Sequence, residues 1–107
     1  MTNEEITRKY KEYLYQSVIT YYKEPLPIGS GKGAYVYDAY GKEYLDFFGG
    51  ILTVSVGHCN EKVTSKVIEQ LKKLQHTSTL YPTEPAAVLA EKLATITPGE
   101  LKRSFFT

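Results

Sequence analysis

One stretch of the sequence, residues 44–59, limits the folds open to this chain more than any other. It reads YLDFFGGILTVSVGHC, which is too apolar to face water and too short to cross a bilayer as a helix. Gly49 and Gly50 interrupt it, and glycines at such a position let a second surface approach the backbone closely. Because turn residues bound the stretch and it is rich in aromatic residues and valine, the pattern predicts two buried extended segments joined by a bend.

Composition narrows the class of protein. The 107 residues, 42% hydrophobic and 23% charged, are typical of one small globular domain or a piece of a larger one. The formal net charge is +1 with basic and acidic residues interleaved, so nucleic acid and membrane surfaces are not expected partners. A single cysteine, with no secretory leader and no long apolar run, predicts a cytoplasmic location.

Two features of the N-terminal part predict a helix and a connector. A Thr-x-x-Glu capping box at residues 2–5 precedes apolar residues that recur every four positions, namely Ile6, Tyr10, Leu14 and Val18. This pattern predicts a helix over about residues 3–18. The prolines in residues 25–27 then predict an extended connector, because proline fixes its own backbone and restricts the residue before it.

The glycine-rich residues 29–34 resemble a phosphate loop only superficially. They satisfy G-x-G-x-x-A, but a dinucleotide fingerprint follows a strand and opens a helix, whereas here prolines precede and a strand pattern follows. The Walker form also fails, because Lys32 is followed by Gly33 rather than by Ser or Thr. The segment is therefore predicted to be a flexible entry into a hairpin.

A β-hairpin is predicted next. Residues 35–38 and 43–46 alternate like strands, and Gly41 occupies a turn position suited to positive φ. Two strands alone are marginal in water, so the hairpin requires a third strand or a covering surface. Residues 47–56 are the nearest candidate for that third strand.

Two further helices and a final strand complete the predicted elements. Asn60 is a good N-cap for a helix running to about residue 75, and Pro85 suits the first turn of a helix that residues 97–99 would end. Residues 104–107 look like the start of a strand. We therefore expect the molecule to continue beyond them.

No self-contained active site is expected from the residue types. His58, Cys59 and His76 match no zinc spacing, and a buried, inert cysteine is commoner than a nucleophilic one. The acidic residues are expected to be solvated. On these grounds the chain is a mixed α/β piece.

Several motifs together resemble a known family. Residues 33–38, 41–47, 49–51, 56–59 and 76–78, in this order and spacing, resemble the N-terminal part of class III aminotransferases, which are pyridoxal 5'-phosphate enzymes of fold type I. Residues 47–59 and 76–79 are most similar to the branch containing alanine–glyoxylate and 4-aminobutyrate aminotransferases. Asn60 and Glu61 depart from the His-Pro or Asn-Pro usual at this point.

The resemblance implies a fold and a domain division. The fold class would be α/β, with an α+β arrangement in this part of the chain. Residues 1–57 would be an N-terminal helix and small antiparallel sheet belonging to the small domain, and residues 58–107 would begin the large cofactor-binding domain. The phosphate loop, the aspartate facing the pyridine nitrogen and the Schiff-base lysine would all lie outside residues 1–107, so no lysine here is expected to be catalytic.

The resemblance also implies binding residues and a reaction. Ile51 and Leu52 would contact the amino donor, and Leu80 and Tyr81 would reach into the neighbouring subunit's site of a homodimer. The intact enzyme would transfer an amino group from an amino acid or ω-amine to pyruvate, glyoxylate or 2-oxoglutarate, whereas residues 1–107 alone would be inactive. The alternatives are a non-catalytic interaction module and another fold type I enzyme, such as an aminomutase or decarboxylase.

Overall fold

The computed structural model describes residues 1–15, 17 and 20–106. Its elements, in chain order, are α1 (Asn3–Tyr13), β1 (Ile28–Lys32), β2 (Tyr35–Asp38), β3 (Glu43–Leu45), α2 (Gly49–Leu52), α3 (Glu61–Lys73) and α4 (Glu84–Ile96). The chain divides into two compact units, Met1–Glu69 and Gln70–Thr107. The presence of helices and a small antiparallel sheet confirms the predicted α+β class.

The first helix begins as predicted and ends earlier. Thr2 and Glu5 form the capping box, with each side chain accepting the other's backbone N–H at 3.2 and 2.9 Å. The backbone turns extended at Leu14, so the prediction of a helix to about residue 18 was wrong; its last marker, Val18, lies outside the described residues. Aromatic and β-branched residues crowd the sequence after Tyr13, and these have lower helix propensity than the residues of α1.

The sheet is an antiparallel meander in the order β1-β2-β3. Val36 lies opposite Gly31 of β1 and Tyr44 of β3, and Gly41 adopts the predicted positive φ in the turn, at 81°. The predicted hairpin is confirmed, but its third strand was wrongly assigned. The glycine-rich segment supplies that strand as β1, because its extended backbone pairs with β2, while residues 47–56 form no strand.

Most apolar side chains in the described residues are exposed. No hydrophobic side chain there is buried, and Asp38, at 7% exposure, is the single buried residue. The prediction that residues 44–59 are buried and extended was therefore wrong, since Phe47 is 92% exposed and a helical turn occupies the centre of the stretch. Exposed apolar surface of this kind marks interaction sites in proteins.

The later helices follow their sequence signals. Oδ1 of Asn60 accepts the backbone N–H groups of Lys62 and Val63, so α3 starts where predicted. In the second unit, α4 follows Thr83, carries Pro85 in its first turn and ends at the C-cap Thr97. The strand predicted from residue 104 is absent over residues 101–106, because no described strand pairs with that segment. Within the described ranges, no helix has the length and apolar character needed to span a membrane.

Candidate functional site

The short element α2 is a left-handed turn that includes two ordinary L-residues. The φ angles are 57° at Gly49, 60° at Gly50 and Ile51, and 64° at Leu52. Glycine adopts this region freely, but each L-residue there costs roughly 1–2 kcal/mol, because its β-carbon crowds the following carbonyl oxygen. Such strain persists only where surrounding contacts impose it, and it concentrates at functional sites. The turn is therefore the first candidate for a functional surface.

Asp46 fixes the start of this turn. Its Oδ1 accepts the backbone N–H groups of Phe48 and Gly49 at 2.8 and 2.9 Å. The backbone N–H of Asp46 itself donates to the carbonyl oxygen of Ala34 at 2.9 Å. Since Ala34 lies between β1 and β2, this one residue joins the sheet to the entry of α2.

His58 completes the arrangement from the far side of the turn. Its Nε2 lies 2.7 Å from Oδ2 of Asp46, with side chains that are 24% and 14% exposed, respectively. The backbone of His58 exchanges two hydrogen bonds with Gly33, at 2.8 and 2.9 Å. A β-carbon at Gly31 would lie only 2.8 Å from Cγ of His58, so glycine at this position leaves space for the ring. We call Asp46 and His58 the clamp.

The electrostatics of the clamp favour an ionised carboxylate. The hydrogen bond from His58, followed by those from the backbone N–H groups of Gly49 and Phe48, lowers the pKa of Asp46 below its ordinary value of 3.8. Asp46 is therefore ionised at neutral pH and can only accept, which assigns the shared proton to Nε2 of His58. Both carboxylate oxygens are engaged.

The residues predicted to bind substrate are exposed. Ile51 and Leu52 are adjacent in α2, with 74% and 87% of their surfaces exposed. Leu80 and Tyr81 lie in the second unit, in a turn where Ser78 accepts the backbone N–H of both residues, and they are 81% and 66% exposed. The structure brings each pair together within its own unit.

Sequence reasoning missed the polar residues that organise the first unit. The expectation that acidic residues are solvated was wrong for Asp38, which is buried, and for Asp46, whose side chain is 14% exposed. Aspartate shortly before a glycine is a known turn signal that points to both positions. Cys59 was wrongly expected to be buried. Its side chain is exposed, and its backbone adopts the left-handed region with φ at 51°. No cluster of potential metal ligands occurs among the described residues.

Comparison with solved structures identifies the fold. A thermostable (S)-enantioselective ω-transaminase from Thermomicrobium roseum matches 96% of this chain with a TM-score of 0.84 and 28% sequence identity, over 24% of its own chain. The first helix, the meander and the following helices are thus the arrangement found in fold type I aminotransferases, as predicted.

Sequence comparison identifies the family. Residues 19–107 match the family model described as aminotransferase class-III. An alanine–glyoxylate aminotransferase 2 homolog 2, mitochondrial, from Arabidopsis thaliana is 45% identical over 102 residues, which are 95% of this chain and 21% of the relative. An acetylornithine aminotransferase from Archaeoglobus fulgidus is 49% identical over 87 residues, 81% of this chain and 23% of the relative. The chain belongs to the class III aminotransferase family, which confirms the predicted resemblance, and it spans about a fifth of the length of these curated relatives.

Class III aminotransferases use pyridoxal 5'-phosphate, and the described residues do not by themselves fit that group. The glycine-rich segment forms the edge strand β1, paired with β2, rather than a loop that leads into a helix N-terminus, so it lacks the geometry of a phosphate loop. Lys32, which lies in this strand, is exposed rather than enclosed. The candidate functional surface is instead α2, whose strained backbone is held by the clamp and whose apolar side chains are exposed.

Proposed function

We propose that the whole protein is a pyridoxal-phosphate-dependent aminotransferase that moves an amino group from an amino acid or ω-amine to a 2-oxo acid such as pyruvate, glyoxylate or 2-oxoglutarate. The observation that carries the proposal is the family match over residues 19–107. The names of the relatives, which act on alanine and glyoxylate or on acetylornithine, support an amino acid donor. A decarboxylase or aminomutase of the same fold is the competing reaction.

In this proposal α2 is the part of the chain that faces the amino donor. Ile51 and Leu52 are exposed while held in a strained backbone, which supports a surface kept for a ligand rather than for packing. No charged residue occurs in residues 47–57, and both oxygens of Asp46 are already hydrogen-bonded. The donor group that meets this surface would therefore be hydrocarbon rather than charged.

The remaining assignments extend the proposal to the assembled enzyme. Leu80 and Tyr81 would contact the donor in the neighbouring subunit of a homodimer, and their exposure supports a role outside their own unit. Residues 1–57 would belong to a small domain and residues 58–107 to the beginning of the cofactor-binding domain. The groups that hold pyridoxal phosphate would lie in the part of the relatives' length that this chain does not cover. A cytoplasmic location is proposed from composition alone.

The proposal is tested on the full natural protein supplied with pyridoxal phosphate. Alanine, acetylornithine and an aliphatic ω-amine are offered as donors with each of the three 2-oxo acids, except that alanine is not paired with pyruvate, because that exchange regenerates the starting compounds. The new amino acid is quantified by chromatography. Transfer to any acceptor supports the proposal, and the residue 1–107 chain in parallel is expected to give none. If the protein instead released carbon dioxide from the donor, a decarboxylase would replace the aminotransferase proposal. If it moved the amino group within the donor without an acceptor, an aminomutase would replace it.

A non-catalytic interaction module is the second candidate, and the exposed apolar side chains favour it specifically. The same assay separates the two. A full protein that takes up no pyridoxal phosphate, measured by absorbance after dialysis, and transfers no amino group would favour the module. Cofactor uptake together with transfer would exclude it.

A further inference from the structure

We infer that Asp46 and His58 are positioning residues that hold α2 in the left-handed shape in which Ile51 and Leu52 meet the amino donor. This inference rests on the proposed function, because it concerns the same surface. The side chain of Asp46 is not free for chemistry of its own. Asp46 uses Oδ1 on the N–H groups of the turn and Oδ2 on His58, which leaves no unpaired carboxylate oxygen for a substrate.

The first step of the argument is that α2 contains little that would keep it left-handed. Its local hydrogen bonds run from the backbone N–H groups of Thr53 and Val54 to the carbonyl oxygen of Gly49, both at 3.0 Å. The hydroxyls of Thr53 and Ser55 also donate to the carbonyl oxygens of Gly50 and Leu52, at 2.6 and 3.2 Å. The Ile51 and Leu52 side chains are too exposed to anchor it. The shape must be imposed from outside the turn.

The second step is that the clamp contacts the chain on both sides of residues 47–57, the segment that contains α2. Asp46 holds the entry through Phe48 and Gly49, and His58 lies just beyond the exit. His58 is fixed in turn, because its backbone pairs with Gly33 and its ring lies against Gly31. The hydrogen bond between Asp46 and His58 therefore closes a ring of contacts that begins and ends on the sheet.

The third step concerns what the clamp would change in the reaction. Loss of the clamp would let α2 relax toward backbone shapes that suit isoleucine and leucine better, which moves both side chains. Groups that only orient a substrate-facing surface affect binding more than chemistry, so their removal raises KM with kcat largely unchanged. A residue that took part in proton transfer would instead lower kcat.

The experiment uses the full natural protein and the variants Asp46→Ala, Asp46→Asn and His58→Ala, with Glu100→Gln as a control on an exposed carboxylate. Alanine is the donor probe. Hydrogen exchange, read by mass spectrometry, follows a peptide spanning residues 47–57 and one spanning residues 35–38. We expect exchange of the 47–57 peptide to accelerate at least tenfold in both alanine variants, with the sheet peptide unchanged.

The kinetic arm separates positioning from a purely structural role. The alanine variants are expected to raise KM for the donor at least fivefold with kcat within twofold, and Asp46→Asn, which retains the Oδ1 acceptor, is expected to recover most of the KM. If Asp46→Ala does not fold, His58→Ala decides, because it leaves the backbone pairing with Gly33 in place. Unchanged exchange, or accelerated exchange with an unchanged KM, would overturn the inference. A wild-type protein inactive with every donor would overturn the proposed function instead, and exchange alone would then decide whether the clamp holds the turn.

Discussion

The side-chain amide of Asn3 donates a hydrogen bond to Oδ2 of Asp38 at 3.1 Å, and its carbonyl oxygen accepts the backbone N–H of Ala39 at 3.0 Å. One residue at the start of α1 is thereby joined to the turn between β2 and β3. Asp38 also accepts hydrogen bonds from the backbone N–H groups of Tyr40 and Lys42 and from the hydroxyl of Tyr44. A single buried carboxylate therefore organises the junction of helix and sheet.

The first prediction is that Asn3→Ala loosens this junction. The free energy of unfolding should fall by about 1–2 kcal/mol, because a hydrogen bond to a charged group is lost and the carboxylate keeps fewer donors. Urea unfolding followed by circular dichroism measures the change. Lys9→Ala, at an exposed position of the same helix, should alter stability by less than about 0.5 kcal/mol. Equal losses in the two variants would contradict the role given to Asn3.

The second prediction concerns the pH dependence of stability. Burial raises the pKa of Asp38, but the hydrogen bonds from Lys42, Asn3, Tyr40 and Tyr44 outweigh it and leave the pKa below the ordinary 3.8. A carboxylate with a lowered folded-state pKa stabilises the fold above its unfolded-state pKa, and this stability is lost as pH falls through the folded-state value. Unfolding free energy should therefore decline as the pH drops below about 4. Asp38→Asn should show a shallower decline, and a rise in stability on acidification would contradict the assignment.

The third prediction compares two glycines of β1. A β-carbon at Gly31 would meet the ring of His58 at 2.8 Å, whereas at Gly29 the nearest atom, the carbonyl oxygen of Asp38, lies at 3.7 Å. Because His58 is held by Asp46 and by its own backbone, Gly31→Ala should destabilise the protein by about 1–3 kcal/mol. Gly29→Ala is the matched control and should be neutral or mildly stabilising. Denaturant midpoints that shift equally in both variants would show that the ring moves freely.

Local signals explain which elements the sequence predicted. Four signals that act within a few residues each mark the start of an element or a turn correctly. They are the capping box at Thr2, the turn glycine Gly41, the N-cap Asn60 and Pro85 in the first turn of α4. The recognisable order of motifs likewise led to the correct family. Features that depend on residues a few positions apart can therefore be predicted from a single sequence.

The misassigned elements depend on contacts between residues distant in sequence. The strand β1 is glycine-rich and has weak strand propensity, so its state is decided by pairing with β2. The clamp joins Asp46 and His58 across 12 positions with a left-handed turn between them, so no regular helix or strand periodicity relates the two residues. Apolarity alone suggested burial for Ile51 and Leu52, but it carries no information on a left-handed backbone. Sequence rules of this kind are expected to fail at functional or strained sites, and α2 is strained.

The fourth prediction separates the backbone strain in α2 from the contact that the Ile51 side chain is proposed to make with the amino donor. Ile51→Gly removes a β-branched residue from positive φ, so the free energy of unfolding should rise by up to about 1 kcal/mol after the entropy cost of glycine is subtracted. Ile51→Ala keeps an L-residue in the same backbone and should show no gain. Both variants lose the side chain, so in the full protein both should raise the donor KM. A destabilised Ile51→Gly would mean that Ile51 packs against the rest of the protein.

The fifth prediction concerns Leu80 and Tyr81, which are proposed to contact the donor in a neighbouring subunit. Because they are 81% and 66% exposed, Leu80→Ala and Tyr81→Ala should change the unfolding free energy of the residue 1–107 chain by less than about 0.5 kcal/mol. In the full protein the same variants should raise the donor KM several-fold in steady-state assays. Leu101→Ala is the matched control, since Leu101 is 67% exposed and has no assigned role. A donor KM that stays at the value of this control in both variants would remove these two residues from the site and leave substrate contact to Ile51 and Leu52.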